Sequence, residues 1–212
     1  LTYDKAKGEG WSLAGRLLGL RRPEASFTSL RLSGSGRIGQ GRGQRPTLGG
    51  TLNVTASGMQ MADPALAAAV GPFLTGRSVF FWQQGGALTL PSLRAIGRGY
   101  ALDGRLQFDD LAEGITAQGQ LNLRHSALET LSQLAKAPLR GAIAGTVTGE
   151  AILLSGAFDA EAQVTGTGLQ TGQRDLDALL AESSSISVSA KRDTSGITLR
   201  AMGFPTSMFT VL

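Results

Sequence analysis

Apolar and polar residues alternate one by one along several stretches of this chain. In the longest, from Phe158 to Thr165, every second residue is Phe, Ala or Val, and the residues between them are Asp, Glu, Gln or Thr. A period of two places the apolar side chains of a β-strand on one face of its sheet and the polar ones on the other. The pattern predicts a mainly β protein, built of antiparallel strands with two or three short helices.

The apolar positions of these runs are predicted to form one continuous face, while polar neighbours such as Asn53, Gln107 and Ser187 point the other way. A few short helices cannot cover such a face. Either a second sheet closes it as a sandwich, or it is left open for an apolar ligand. The residues predicted to line this face are Leu52, Val54, Leu106, Phe108, Leu121, Leu123, Phe158, Val164, Ile186 and Val188.

Helix signals are short and few. Asp63 is a favourable N-cap residue, and Pro64 suits the first helical position. Ser126 and Glu129 have the spacing of a capping box. Helices of two or three turns are marginal alone, so we expect them to dock as lids at one edge of the sheet. The predicted helices lie near residues 64–70, 127–135 and 175–181.

Short stretches of the sequence recur. VTASGMQMADPALAAAV at Val54–Val70 returns 110 positions later as VTGTGLQTGQRDLDALL at Val164–Leu180. SLRLSGSG at Ser29–Gly36 returns 63 positions later as SLRAIGRG at Ser92–Gly99, which predicts equivalent, stacked strands. LRAMG at Leu199–Gly203 is a third, shorter copy. We expect one elongated repeat region over residues 1–212, with units near 29–91, 92–155 and 156–203 and a non-matching tail at 204–212.

Composition narrows the function classes. The 212 residues include 30 glycines, about twice the average usage, which predicts many turns and thin packing layers. Cysteine is absent, which excludes disulfides and thiolate metal sites. A net charge of +4 is too weak to indicate nucleic acid as a partner. Because the chain begins at Leu1, we expect it to be an internal segment of a longer protein.

One glycine-rich stretch matches a nucleotide-binding pattern. Gly34 to Gly39 reads G-x-G-x-x-G after a predicted strand, but the residues that follow cannot start the helix that a dinucleotide site needs. Three nearby arginines could hold a phosphate, yet no aromatic residue is interleaved for base stacking. We expect Arg37 to Arg45 to be a mobile, solvated hairpin end without a nucleotide.

No constellation of catalytic residues is visible. His125 is the single histidine and cannot assemble a common zinc site without cysteines. Asp109 and Asp110 are adjacent, so on a strand they would point to opposite faces and make poor partners for acid–base chemistry. The sequence therefore predicts a protein that is not an enzyme and takes no cofactor or metal. Trp11 to Leu20 is compatible with a pair of strands or an amphipathic turn.

Three stretches resemble one known family: SLRLSGSGRIG, the helix start ADPALAAAVG, and SLRAIGRGYALDGRLQFDDLAEGITAQGQLNL. Together they are similar to the TamB family of Gram-negative bacteria, which belongs to the AsmA-like, bridge-like lipid-transfer proteins. Their richness in Gly and Ala is similar to that of the alphaproteobacterial members. The resemblance covers roughly Thr28 to Met202. It implies a β-taco, an elongated and curled antiparallel β-sheet that forms a groove with an apolar interior. It also implies a periplasmic protein that is anchored in the inner membrane and acts with a TamA-like outer-membrane barrel.

Two functional hypotheses follow. The first is a groove segment that carries phospholipid acyl chains between the membranes and supports assembly and secretion of outer-membrane proteins and autotransporters. The second is a closed β-solenoid or sandwich that serves as a scaffold or adhesin-like spacer without lipid. Neither hypothesis involves nucleic acid. An inward-facing Leu looks the same against lipid as against protein, so the sequence leaves both open.

Overall fold

The computed structural model describes residues 2–4, 9–23, 25–110, 114–152, 155–180, 183–193 and 196–203. Within these ranges the chain is mainly β, and long strands follow each other with short connections. The strands are β1 Thr2–Asp4, β2 Gly10–Arg21, β3 Ala25–Gln40, β4 Pro46–Ser57, β5 Gln60–Met61, β6 Phe73–Gln83, β7 Leu88–Gly97, β8 Tyr100–Asp109, β9 Thr116–His125, β10 Arg140–Ile152, β11 Ala157–Gln170, β12 Ser183–Asp193 and β13 Gly196–Gly203.

All described strands belong to one antiparallel sheet. Their spatial order follows the chain from β1 to β13, except that the two-residue β5 pairs with the start of β3. Since neighbouring strands lie about 4.8 Å apart, the sheet is about 53 Å long across its strands. The outer strands β1 and β13 each pair on one side, so the sheet is not closed. The predicted fold class is confirmed, and a two-sheet sandwich is wrong for the described residues.

The described helices are α1 Pro64–Val70, α2 Ser132–Ala135 and α3 Arg174–Leu180. All three lie on the same side of the sheet, where strand ends are lined up, and we call this side the helix edge. They follow β5, β9 and β11, which end at that edge. On the opposite side, the described parts of the connections contain no α-helix. Although α1 and α2 are far apart in sequence, α1 contacts α2 and the 3-10 turn that precedes it.

The cap of α1 forms as predicted. Asp63 Oδ1 accepts hydrogen bonds from the backbone N–H groups of Ala65 (2.7 Å) and Leu66 (3.2 Å), and Pro64 is the first helical residue. Gly71 ends the helix with a positive φ of 75°, and its N–H donates to Ala67 O.

The predicted capping box of the second helix is wrong. Residues Leu128–Leu131 form a 3-10 turn, α2 begins only at Ser132, and neither start has a side-chain cap. The hydroxyl of Ser126 donates instead to Gly99 O (3.1 Å), on the neighbouring hairpin. Ser126 therefore bonds the end of β9 to the neighbouring hairpin instead of capping the helix.

The 110-residue repeat is a repeat of structure. Val54 and Val164 lie on strands that run in the same direction, and Gly58 and Gly168 both have φ of 59°. The helix that follows spans 64–70 in one copy and 174–180 in the other, and the next strand spans 73–83 and 183–193. The shared positive φ explains why glycine recurs there, because other residues rarely adopt it.

The equivalence predicted from the 63-residue spacing is wrong. Ser29–Gly36 lies in β3 and Ser92–Gly99 covers the end of β7, and three antiparallel steps separate these strands. They therefore run in opposite directions and cannot be stacked copies. The unit boundaries near 29–91, 92–155 and 156–203 stay a prediction, and residues 204–212 lie outside the described ranges.

Two local expectations also change. Trp11 to Leu20 is neither a strand pair nor a turn but the middle of the single strand β2. Arg37 belongs to β3, which continues to Gln40, so the predicted hairpin end shrinks to a 3-10 turn at Arg42–Gln44. The G-x-G-x-x-G stretch thus lies inside a strand, and no α-helix follows it directly.

Candidate functional site: the apolar face of the sheet

Strand register defines the two faces of the sheet, because residues paired across an antiparallel ladder point to the same side. Val54 pairs with Leu32 on one side and with Gly76 on the other. These residues, and those that pair with them in turn, point to one face of the sheet. We call it the apolar face and its reverse the polar face.

All ten residues predicted from alternation lie on the apolar face. The ladder connects Leu106 to Gly119, Leu121 to Val147, and Val147 to Ala162. It continues from Ala162 to Val188. Their contact with lipid stays a prediction. The residues that the register brings together are Leu52, Val54, Leu106, Phe108, Leu121, Leu123, Phe158, Val164, Ile186 and Val188.

A β-bulge in β7 keeps the face continuous. Leu93 pairs with Gly104, whereas Leu90 pairs with Leu106, so Pro91 and Ser92 together stand opposite Arg105. Because the bulge adds one residue to β7, Leu88, Leu90 and Leu93 all point to the apolar face, although Leu90 and Leu93 are three positions apart. Proline has no N–H for a ladder bond and is tolerated inside a sheet at such a bulge.

Sequence reasoning missed more than half of the large apolar residues on this face. In β3, Leu30 and Leu32 alternate with Arg31 and Ser33, a readable signal that the glycines at 34 and 36 then interrupt. Strand β6 has apolar residues on both of its faces, and β7 contains the bulge. Neither strand therefore shows clear alternation in the sequence. The additional large apolar residues are Trp11, Leu13, Leu17, Leu30, Leu32, Ile38, Leu48, Leu74, Phe80, Trp82, Leu88, Leu90, Leu93, Leu102, Ile143 and Val147.

Most of the apolar face is uncovered. In the described part of the chain only four apolar side chains are buried: Ala56, Met59, Leu128 and Leu180. They lie in or beside the helix edge, as do the buried His125 and Ser184. Away from that edge the side chains are half-buried, and Leu17 (51%) and Val147 (37%) are exposed. The helices therefore cover only one margin of the face.

Glycines let neighbouring strands approach closely on this face. A Cβ added to Gly36 would lie 2.6 Å from Gly50 Cα, and one added to Gly145 would lie 2.6 Å from Gln163 O. Cβ atoms at Gly104 and Gly149 would likewise meet the backbone of the adjacent strand. The adjacent backbone occupies the space above these positions, as expected where a sheet bends toward its apolar face.

Trp11 shows the same close packing. Its ring lies 5.9 Å from that of Phe80, although β2 and β6 are three strand steps apart, about 14 Å in a flat sheet. The indole spans Gly34 and Gly50, and its Nε1–H donates to Gly49 O at 3.3 Å. A bulky platform therefore lies over the glycine positions of β3 and β4.

The polar face is held by side-chain hydrogen bonds between strands. Asn122 Nδ2 donates to Asp103 Oδ2 and Thr146 Oγ1 donates to Asn122 Oδ1, each at 3.0 Å. Asp109 accepts from the amides of Gln107 and Gln118, both at 2.9 Å. This face satisfies its polar groups internally or in water, whereas most side chains of the apolar face offer van der Waals contact, with Ser78 and Arg192 among the exceptions.

His125 has a structural role at the helix edge. Its Nδ1 accepts from the N–H of Ala127 (3.3 Å), and its Nε2 lies 3.4 Å from Thr130 Oγ1. Because the Thr130 hydroxyl donates to Ala127 O (2.9 Å), Nε2 carries the hydrogen toward Thr130. Burial lowers the pKa of His125, and nearby Glu129 opposes this shift. Burial also raises the pKa of Tyr100, whose ring stacks on the imidazole.

The described residues contain no cluster of His, Asp and Glu suited to a metal ion. Asp109 ends β8, and Asp110 follows it outside the strand with a positive φ of 52°. None of the helices in the described ranges is both long enough and apolar enough to cross a bilayer. The chemistry that the apolar face of the sheet offers a ligand is apolar contact over an extended area.

Comparisons with known proteins leave the fold and the faces as the only guides. No family model matches the sequence, no curated protein is significantly similar to it, and no solved structure resembles it at a significant level.

Proposed function

We propose that this chain is a segment of a lipid-carrying groove, in which the apolar face of the sheet holds phospholipid acyl chains. One observation carries the proposal: the apolar face continues across the sheet from β2 to β12, and only its helix edge is covered. A soluble protein rarely leaves so large an apolar surface without a ligand or partner. An acyl chain fits a surface on which apolar side chains far outnumber polar ones such as Ser78.

The energetics favour an occupant. Each Å² of apolar surface withdrawn from water is worth about 25 cal/mol, for the protein side and the lipid side alike. The polar face has hydrogen bonds between its strands and gains nothing comparable from a hydrocarbon chain. The bend at the glycine positions would bring side chains of neighbouring strands around one chain.

The wider role rests on the resemblance to the TamB family. On this proposal the full-length protein is anchored in the inner membrane and spans the periplasm of a Gram-negative bacterium. It would pass phospholipid toward the outer membrane and, with a TamA-like barrel, support outer-membrane protein assembly and secretion. A lipid-free structural scaffold is the alternative, and binding measurements separate the two.

Native mass spectrometry of the purified chain tests the proposal. We expect co-purified phospholipid with the wild-type chain and a clear loss of it in Val164→Arg and Val188→Asp, because an unpaired charge in an apolar site is costly. The matched controls Gln163→Arg and Ser187→Asp, on the polar face of the same strands, should keep the lipid. Absence of lipid from every variant, or equal loss from both faces, would favour the scaffold.

A further inference from the structure

One arginine lies on the apolar face of the sheet. Among the described residues of β2 to β12, and away from the helix edge, Arg192 is the only charged side chain that the register places there. It pairs with Phe158, whose ladder continues through Ala151. Arg192 lies opposite the helix edge, on the side where β3, β6, β8, β10 and β12 end, and we call this side the loop edge.

The charge of Arg192 is not neutralised within the described part of the chain. Arg192 is exposed and makes no ion pair or side-chain hydrogen bond with a described residue. The carboxylates next to it in the ladder have other partners, because Asp159 pairs with Arg200 and Asp193 pairs with Lys191. An anion bound beside the apolar face would therefore find an arginine without a competing carboxylate on it.

The guanidinium of Arg192 reaches the margin of the apolar face. A Cβ added to Gly156 would lie 3.6 Å from Arg192 Nη1, so the charged group extends to the connection between β10 and β11. A long arginine side chain can lay its methylene groups on apolar surface while its charged end stays in water. Arg192 thus joins the apolar face to the solvent at the loop edge.

A second arginine occupies a similar place near the other end of the sheet. Arg45 is exposed and directly precedes β4 at the loop edge. A Cβ added to Gly85 would lie 3.7 Å from Arg45 Nη1, so this guanidinium also extends to a neighbouring connection between strands. The loop edge therefore presents arginines at two separate points beside the apolar face.

The apolar face beside Arg192 is long enough for an acyl chain. Along β12 it continues through Ala190, Val188 and Ile186 to Ser184, which is buried at the helix edge. Eight residues separate Arg192 from Ser184, which corresponds to about 27 Å of strand. Half of the hydrocarbon core of a bilayer, the depth that one acyl chain spans, is about 15 Å. One acyl chain therefore fits between Arg192 and the helix edge.

We propose that Arg192 binds the phosphate of a phospholipid whose acyl chains lie along β11 and β12, so that the head group faces the loop edge. This inference rests on the proposed function, which places acyl chains on the apolar face. The planar guanidinium suits a phosphate because it can donate two parallel hydrogen bonds to the phosphate oxygens. The helix edge suits a head group less well, because the buried side chains of Leu128 and Leu180 lie there.

Competition between two lipids with the same acyl chains tests this contact. The purified chain is equilibrated with equal amounts of phosphatidylglycerol and diacylglycerol, and native mass spectrometry measures the ratio of the two bound lipids. We expect the wild type to prefer phosphatidylglycerol and Arg192→Gln to lower this ratio about tenfold, because it loses a charge-assisted hydrogen bond. Arg192→Lys, which keeps the charge, should retain most of the preference.

Lys191→Gln is the matched control. It removes the same charge from the polar face of the same strand and should keep the wild-type ratio. An unchanged ratio in Arg192→Gln, or an equal fall in the two Gln variants, would overturn the head-group contact and leave the groove standing. Failure of the wild type to bind either lipid would contradict the groove itself.

Inorganic phosphate distinguishes a head group from a free anion. Added at the same concentration as the lipids, it should leave the ratio unchanged, because it lacks the acyl chains that hold the lipid phosphate beside Arg192. If it abolishes the preference for phosphatidylglycerol, Arg192 binds free phosphate and the head-group contact is wrong.

Discussion

At the scale of single residues, glycine determines where the apolar face can bend. Gly36 and Gly50 stand side by side in register, and the adjacent backbone leaves neither of them room for a Cβ. Gly15 lies on the same face of β2, yet a Cβ added there would meet nothing within 4 Å. Close strand approach therefore explains the glycines at 36 and 50 but not the glycine at 15.

Gly36→Ala is expected to destabilise the fold by about 1–3 kcal/mol, the usual cost of forcing atoms into an occupied site. Gly15→Ala is the matched control and should leave the free energy of unfolding nearly unchanged, because its Cβ is unobstructed. Urea denaturation of both variants measures the difference. Equal stability of the two would contradict the close approach of β3 and β4.

His125 makes the helix edge sensitive to acid. Burial lowers its pKa, so the folded state favours the neutral ring, and the bare Nδ1 accepts the hydrogen bond from Ala127. Below the unfolded pKa of about 6.5, the unfolded chain takes up a proton more readily than the folded one, and stability falls. Above that pH the contribution of His125 is fully present.

We expect the free energy of unfolding to fall more between pH 7 and pH 5 in the wild type than in His125→Asn. Asn supplies an oxygen near the position of Nδ1 but does not titrate. Denaturation at several pH values in both chains isolates the contribution of His125, since the carboxylates are common to them. Parallel pH profiles would show that the histidine is not responsible.

At the scale of elements, the helices are placed by the strand ends that they connect. Each follows a strand that ends at the same edge, and α1 reaches the turn before α2 although β6 to β9 intervene. Asp177 of α3 accepts from the N–H (2.6 Å) and the hydroxyl (2.9 Å) of Thr171, which lowers its pKa. In α3, a side chain of the helix thus ties it to the segment that precedes it.

Asp63→Ala is expected to cost about 0.5–2 kcal/mol, the usual cost of losing an N-cap. The substitution leaves the N–H groups of Ala65 and Leu66 without their side-chain acceptor. Asp175→Ala is the control, since Asp175 is exposed in the first turn of α3 and should contribute less. Thermal unfolding of the two variants distinguishes them. A larger loss in the Asp175 variant would contradict the assignment of the cap.

The sequence predicted an element correctly when the residues that determine it are close to each other in the chain. Asp63 and Pro64 act within one helical turn, so the start of α1 could be read directly. The use of Ser126 could not, because its partner Gly99 belongs to a hairpin 27 residues earlier. The direction of β3 relative to β7 depends on the number of intervening strands, which similar short motifs do not reveal.

At the scale of the whole molecule, alternation was enough to predict a mainly β sheet and to select ten residues that share a face. A side-chain period of two survives any change in strand order, provided that the register is not shifted. The residues missed lie where a bulge shifts the register or glycine interrupts the run. The openness of the sheet could not be predicted, because an inward-facing Leu has the same sequence signature under lipid as under protein.

Site-specific photo-crosslinking tests the central claim most directly. A photoreactive amino acid is placed at 164 or 188 on the apolar face, and at 163 or 187 on the polar face of the same strands. Exposed to phospholipid, the chain should form lipid adducts at 164 and 188 but not at 163 and 187. Equal labelling of the two faces, or crosslinks from 164 and 188 to protein alone, would contradict a lipid-carrying groove.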